Sequence, residues 1–258
     1  MVNRDQPGPA GASGGAPGRR MARRDRRILV SGVIAITLAG LIVTAVLLAT
    51  RPRSATLPRP SGIPPSVPTS LADLMQLSPL LHHPAPGFTL TDQTGRTMSL
   101  SALRGKVVVL EFMDPHCVDI CPIVSQEFVD AYHDLGPAAG KVVFAAINVN
   151  QYHASVAAMA AYSREHGLTA IPSWHFFTGP LPALQAAWRD YEIEVQAPSP
   201  NADIIHTSAV YFLGPTGQEM FLASPMADHT RKGTAYLPAS QLAGWGHGIA
   251  LIASYLAR

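Results

Sequence analysis

Apolar positions along this chain fall into three regimes. Residues 28–50 are an unbroken stretch of 23 without a charged side chain, long enough to cross a bilayer with some tilt. From 51 to 87, prolines at 52, 58, 60, 64, 65, 68, 79, 84 and 86 interrupt every pattern, which predicts a stiff linker. Inside it Leu71, Leu74 and Leu77 recur three apart, with Met75 four on from Leu71. That spacing predicts a short helix over 70–77, docked on the domain, with Ser70 as its N-cap. Beyond residue 87, short apolar runs alternate with amphipathic stretches. Residues 88–90 and 97–100, around a turn at Thr94-Gly95, predict a hairpin. Strands follow at 107–113, 142–149 and 174–177. Helices are expected from about 121 to 135, over 154–166 up to Gly167, and over 181–189. A second hairpin is expected at 208–213 and 218–222 about the turn 215–217, and a helix over 239–256 closes the chain.

Strands alternating with helices, then a hairpin and a helix, predict an α/β class: a thioredoxin-like domain with a central mixed sheet flanked by helices, preceded by one transmembrane helix. The expected organisation is a basic tail over 1–27, the span over 28–50, a proline-rich linker over 51–83 and the domain over 84–258. Charge supports this division. Residues 1–27 carry Arg4, Arg19, Arg20, Arg23, Arg24, Arg26 and Arg27 against Asp5 and Asp25. An arginine excess before an apolar span predicts a single-pass cell-membrane protein, its N-terminus cytoplasmic and its C-terminal domain outside. A cleaved signal peptide is the alternative, but the apolar run is long for one. Residues 1–87 have a net charge of +7 and residues 88–258 of −5. The positive charge therefore belongs to the anchor, and no nucleic-acid partner is expected.

The two cysteines of the chain, Cys117 and Cys121, sit in the run Asp114-Pro-His-Cys-Val-Asp-Ile-Cys-Pro122, directly after an apolar strand. A helix beginning here supplies unpaired N–H groups and a partial positive charge, both of which favour a thiolate. Pro122 suits the first helical turn. Three intervening residues put the sulfurs one helical turn apart, a spacing that can close a disulfide or chelate one soft metal ion. A fixed structural bridge in an exported domain is the plainer reading, although so short a loop gives little entropic stabilisation.

The combination resembles the Sco/SenC family, membrane-anchored copper-binding proteins that assist assembly of cytochrome c oxidase. The resemblance runs over about 84–222: Ala85-Pro-Gly-Phe-Thr-Leu-Thr-Asp-Gln-Thr-Gly-Arg96, the stretch from Leu100 to Val109, Cys117-x-Asp-Ile-Cys121-Pro122, and the segment from His206 to Gly217. It implies a metal site of Cys117, Cys121 and His206. Two thiolates and an imidazole suit copper, sulfur favouring Cu(I) and the imidazole admitting Cu(II). The implied partner is cytochrome c oxidase subunit II or another copper-site protein. The chain departs from the family pattern at Met113-Asp-Pro115 before the motif, at Val118, at Ile205 and at Asn150, all around the ligands. His116 adjoins the motif, and Asp119 could lend a weak oxygen to Cu(II). His82, His83, His133, His153, His166, His175, His229 and His247 are expected to be surface, cap or packing residues, and Met113, Met220 and Met226 ordinary thioethers.

Glu111 keeps a second function open. It lies in an apolar strand six residues before Cys117, the offset at which thioredoxins carry a buried aspartate that relays protons. Buried there, its carboxyl would have a raised pKa and serve as proton acceptor for Cys121. The chain would then be an extracytoplasmic thiol–disulfide oxidoreductase of thioredoxin or TlpA type, with Cys117 and Cys121 its catalytic redox pair. Pairing of Glu111 with Lys106 is the structural alternative. A copper or redox sensor signalling through the anchor is a third class, and a peroxidase lacks its Thr-x-x-Cys pattern.

Overall fold

The computed structural model describes residues 61–258; the expected tail and transmembrane helix lie outside the described residues. Among the described residues, no helix is long and apolar enough to cross a membrane. The chain enters through helix α1 (Thr69–Leu74) and strand β1 (Ser78–Pro79), then forms the hairpin β2 (Thr89–Thr91) and β3 (Thr97–Ser99). Strand β4 (Val107–Met113) leads to helix α2 (Ile120–Leu135), strand β5 (Val142–Asn148) and helix α3 (Val156–Glu165). Strand β6 (Trp174–Phe177), helix α4 (Leu181–Asp190) and the short strands β7 (Val195–Gln196) and β8 (Ile205–His206) come next. Strands β9 (Val210–Leu213) and β10 (Glu219–Ala223), the ribbon β11 (Asp228–His229) and β12 (Ala235–Tyr236), and helix α5 (Ala239–Leu256) complete the domain.

Six strands make the main sheet in the order β1-β10-β9-β4-β5-β6. β4 pairs in parallel with β5, and β5 with β6, while β9 runs antiparallel to β4 and to β10. β4 and β5 are buried on both faces along their whole length, which is why they read as continuous apolar runs rather than alternating ones. Alternation still sorts the side chains of β4. Val107, Val109 and Met113 face a core built with α1, α2, α3 and α5, while Val108, Leu110 and Phe112 face one built with the hairpin and α4. Each such fully buried side chain contributes about 1.5–3 kcal/mol.

Two sequence expectations change here. The segment expected to be a stiff linker as far as residue 83, with its short helix docked on the domain, is laid over the first core from residue 61 on: Ile63 and Val67 as well as Ala72, Met75 and Leu77 are buried in it, and β1 pairs with β10. The helix expected over 70–77 spans Thr69–Leu74, and Ser70 makes no cap bond; Pro68 stands at the N-cap. Gln76 then takes φ +48, turning the chain so that Met75 and Leu77 both enter the core. The glycines of α5 have a reason as well. A Cβ on Gly246 would lie 2.7 Å from Asp130 Cβ of α2, and one on Gly244 2.9 Å from a Leu74 methyl, with Met75 closer still to Gly248. The missing side chains let α5 settle against α1 and α2, at a cost of roughly 0.5–1 kcal/mol each in helix propensity.

Candidate functional site

β4 stops at Met113 and α2 starts at Ile120, so both cysteines sit where a central strand hands over to a helix. A turn closes first, Cys117 N–H donating to Asp114 O at 3.1 Å. Cys121 lies in the first turn of α2 and is only 2 % exposed, whereas Cys117 is half-buried. Both are free thiols. The Cys117 thiol is lowered to about 7 by a hydrogen bond from Cys121, reinforced by the backbone N–H groups of Cys121 and Asp119. Cys121 goes the other way, pushed up because its proton is shared with Cys117 and because it is buried. The pair thus splits into one accessible thiolate and one protected thiol.

A buried polar scaffold fixes this turn. Asp114 Oδ1 accepts from His116 N at 2.8 Å and from Asn150 Nδ2 at 2.9 Å. Asn150 Oδ1 accepts from Tyr152 N at 3.0 Å and His153 N at 3.2 Å. Asn148 closes the frame, its Oδ1 accepting from Asn150 N and its Nδ2 donating to Asn150 O. Asn150, which stands out from the family pattern, is therefore the clamp between the cysteine turn and the loop after β5.

His206 arrives from a different element, the two-stranded ribbon of β7 and β8, where it pairs with Val195. It lines the same cavity as Cys117, a space of about 640 Å³ that His116 and His153 also border. Its Nδ1–H donates to Thr207 O at 2.9 Å, which leaves the Nε2 lone pair as the available ligand. Burial holds the imidazolium form back, against the opposing pull of that carbonyl and of Asp114. Among the described residues no three His, Cys, Asp or Glu side chains stand close enough together to hold a metal ion. The structure thus brings Cys117 and His206 to one cavity, with Cys121 buried in the core behind the turn, and does not close the imidazole onto the sulfurs.

Glu111 is fully buried in β4, its Oε2 without a hydrogen-bond partner. Desolvation pushes its carboxyl well up, helped by Glu127, while the N–H groups of Phe112 and Ala209 pull the other way. Its charge in turn adds to the upward shift of Cys121. Lys106 is not its partner; that ammonium donates to Gly140 O. Glu127 of α2 is equally buried, with neither carboxylate oxygen bonded, and desolvation raises it too. Sequence reasoning missed Glu127, yet there was a signal: it falls three residues after Val124 and four before Ala131, on the apolar stripe of α2.

The remaining candidates sort themselves. Asp119 is tied to His229 Nε2 at 2.8 Å, and His175 and His247 pair with Asp92 and Asp134. His116 and His153, one expected to touch the motif and the other to be a packing residue, lie stacked with ring centroids 3.6 Å apart. Val118 and Ile205, both departures from the family pattern, line the cavity and are 89 % and 64 % exposed.

The SCO1/SenC family model matches residues 81–235. An SCO1 protein homolog of Bacillus subtilis is 24% identical over 145 residues, 55% of this chain and 75% of that one. The mitochondrial SCO2 homolog of Bos taurus is 30% identical over 136 residues, and the chain spans half of its length. Among solved structures, Bradyrhizobium japonicum ScoI with copper bound superposes with a TM-score of 0.52 at 22% identity, over 67% of this chain and 99% of that one. That likeness shows a shared thioredoxin-like α/β fold.

Proposed function

Since the chain belongs to the SCO1/SenC family, we propose that it is a membrane-anchored copper-binding protein that assists assembly of the copper site of cytochrome c oxidase subunit II. Copper is its cargo, and Cys117, Cys121 and His206 are its ligands. The observation that carries this reading is the shared cavity: an accessible thiolate at Cys117 and an imidazole whose Nε2 lone pair is free border one space. Cys117 is ready to bind at neutral pH, whereas Cys121 must lose its proton as the metal arrives. Thiolates take Cu(I), and the neutral imidazole adds affinity for Cu(II). The copper-bound ScoI of Bradyrhizobium japonicum, which shares the fold, supports the choice of metal. The 28–50 span, with the arginines before it, would hold the domain outside the cell membrane.

Copper titration of the reduced full-length protein tests the ligand set. Cys117→Ser and Cys121→Ser should each abolish tight Cu(I) binding, and His206→Ala should mainly lose the Cu(II) form. A His206→Ala protein that bound both states like wild type would end the assignment. Protease added to spheroplasts should remove residues 51–258 and spare the arginine-rich tail; a mature chain starting near residue 50 would refute the anchor.

The split between the two sulfurs favours a second reading, thiol–disulfide exchange. The Cys117 thiolate would attack a partner disulfide, releasing one partner thiolate and forming a mixed disulfide. Cys121, its proton passed to Glu111, would then attack Cys117, leaving the pair oxidised and the partner reduced. Glu111→Gln should slow this exchange at neutral pH while leaving copper affinity nearly unchanged. An oxidase-assembly defect with Glu111→Gln but none with His206→Ala would favour exchange over copper delivery.

A further inference from the structure

Neither proposed reading uses Glu127, although it is as deeply buried as Glu111. The two carboxyls enter the same core from different elements. Glu111 shares its parity along β4 with Val107, Val109 and Met113, so its side chain faces the first core. Glu127 reaches that core from α2, between Val124 and Ala131 on the buried stripe of the helix. Helix α5 closes over this turn of α2, where a Cβ on Gly246 would lie 3.4 Å from Glu127 O. Three carboxyl oxygens, Glu111 Oε2 and both of Glu127, have no hydrogen-bond partner. Among the described residues, no lysine or arginine pairs with either glutamate. The charge of Glu111 bears on Cys121, and that of Glu127 bears on Glu111. Sulfur, first carboxyl and second carboxyl therefore stand in series.

We propose that Glu127 is a positioning residue for thiol–disulfide exchange: it holds a proton on Glu111, where the Cys121 sulfur can take it when the disulfide opens. This rests on the exchange reading above and names the group that sets its working pH. Two carboxylates in one dry core repel each other, so the pair keeps one proton between them at neutral pH. That proton belongs on Glu111, which the charge of Glu127 raises on top of desolvation. In the opening step a thiolate attacks the Cys117 sulfur of the oxidised pair, and the bond between Cys117 and Cys121 breaks. The departing Cys121 thiolate takes the proton of Glu111, which becomes a carboxylate and regains a proton from solvent. Few other charges bear on the pair. Asp130 on α2 pushes Glu127 further up. From α5 come Tyr255 and His247, the latter tied to Asp134 at 3.0 Å. Tyr162 of α3 is bonded to Ser125 at 3.1 Å, Tyr211 of β9 donates to Tyr191 O at 2.7 Å, and Lys141 before β5 donates to Ala257 O at 2.9 Å. Tyr236 of β12 is exposed.

The test follows opening of the oxidised pair by reduced glutathione in full-length protein, with rates divided by glutathione thiolate concentration and measured across neutral pH. In wild type the corrected rate should fall as pH rises and Glu111 loses its proton. Glu127→Gln keeps the side chain's shape without its charge, and should move that fall to lower pH by about one unit, the scale on which interacting carboxyls separate. Glu111→Gln should remove the fall altogether, and the double variant should match it. A Glu127→Gln profile that coincides with wild type, while Glu111→Gln still loses the fall, overturns the role of Glu127 and leaves the exchange reading standing. A Glu111→Gln profile that coincides with wild type removes the exchange reading and this inference together. Infrared spectra of the reduced proteins supply a readout independent of exchange. The carbonyl stretch of a protonated carboxyl should be present in wild type at pH 7, absent in Glu111→Gln, and titrated away at lower pH in Glu127→Gln. A band that survives in Glu111→Gln would place the proton elsewhere and overturn the proposal.

Discussion

The cysteine turn and the ribbon that carries His206 meet at one cavity but are held by different means. The turn is welded to the core: β4 behind it is buried throughout, Cys121 packs inside, and Asp114, Asn148 and Asn150 bind it to the neighbouring loop. The ribbon consists of two two-residue strands joined to the chain by local bonds, Thr207 N–H to Glu194 O and Glu194 N–H to Thr207 Oγ1. Ile205 beside the histidine points largely into solvent. Moving the turn would break a buried hydrogen-bonded frame, while moving the ribbon disturbs a few exposed bonds and the part-buried one that the Tyr152 hydroxyl donates to Ala197 O. The sulfurs are thus set by folding and the imidazole is the more adjustable group, as release of the proposed copper cargo would require.

The sharpest separation is expected within the turn itself. Alkylation of Cys117 should rise with a midpoint near pH 7, following its lowered thiol of about 7. Cys121 should lag by on the order of a hundredfold or more at neutral pH, since its thiol is raised above the ordinary value. Iodoacetamide labelling resolved by peptide mass spectrometry measures both, and equal rates would show the hydrogen-bonded asymmetry to be absent.

Next in size is the frame. Asp114→Ala leaves the buried Asn150 amide and the His116 N–H unpaired, and should cost about 2–4 kcal/mol in urea denaturation. His206→Ala should cost less than about 0.5 kcal/mol. Similar losses at the two positions would erase the distinction between welded turn and adjustable ribbon.

A smaller effect comes from the carboxyls beneath the turn. Glu111 and Glu127 have folded-state pKa values above the unfolded ones, so the folded protein binds more protons than the unfolded chain once pH passes the usual carboxylate range. Stability is then full below about pH 4.5, the ordinary glutamate value, and falls as pH rises toward the folded pKa values. Glu127→Gln keeps the shape without the charge and should flatten that decline. At pH 7 the gain should be about 1–3 kcal/mol, the cost of leaving such a group buried and unpaired. Denaturation midpoints at pH 4.5 and 7 decide it: an unchanged slope would mean that Glu127 is solvated. The least change is expected from Val118→Ala, whose exposed side chain should shift stability by no more than about 0.5 kcal/mol while altering the rim near Cys117.

Much of the fold was legible because its strands and helices are long enough to show their period. β4 and β5 announce themselves as continuous apolar runs, and the start of α2 was visible in Cys121-Pro122. The two-residue strands β1, β7, β8, β11 and β12 were not, since so short a stretch has no alternation to read. The helix near residue 70 was seen from its leucine spacing, but its ends were misjudged. Ser70 fitted a cap pattern, and the left-handed turn at Gln76 has no residue signature. The glycines of α5, poor helix formers by propensity, have their reason only in the close packing of α1 and α2 against them.

By itself the sequence determined the chemistry available: two thiols one helical turn apart after a central strand, a later histidine in a family-like segment, and a carboxyl inside an apolar strand. Those are local facts, carried by residue type and spacing. Tertiary structure alone decided which groups share an environment. It put His206 on the wall of the cysteine cavity, stacked His153 on His116, and set Glu127 close enough to Glu111 to raise its pKa. Each partner comes from a separate element brought in by packing, and desolvation and stacking depend on distances that no spacing along the chain encodes.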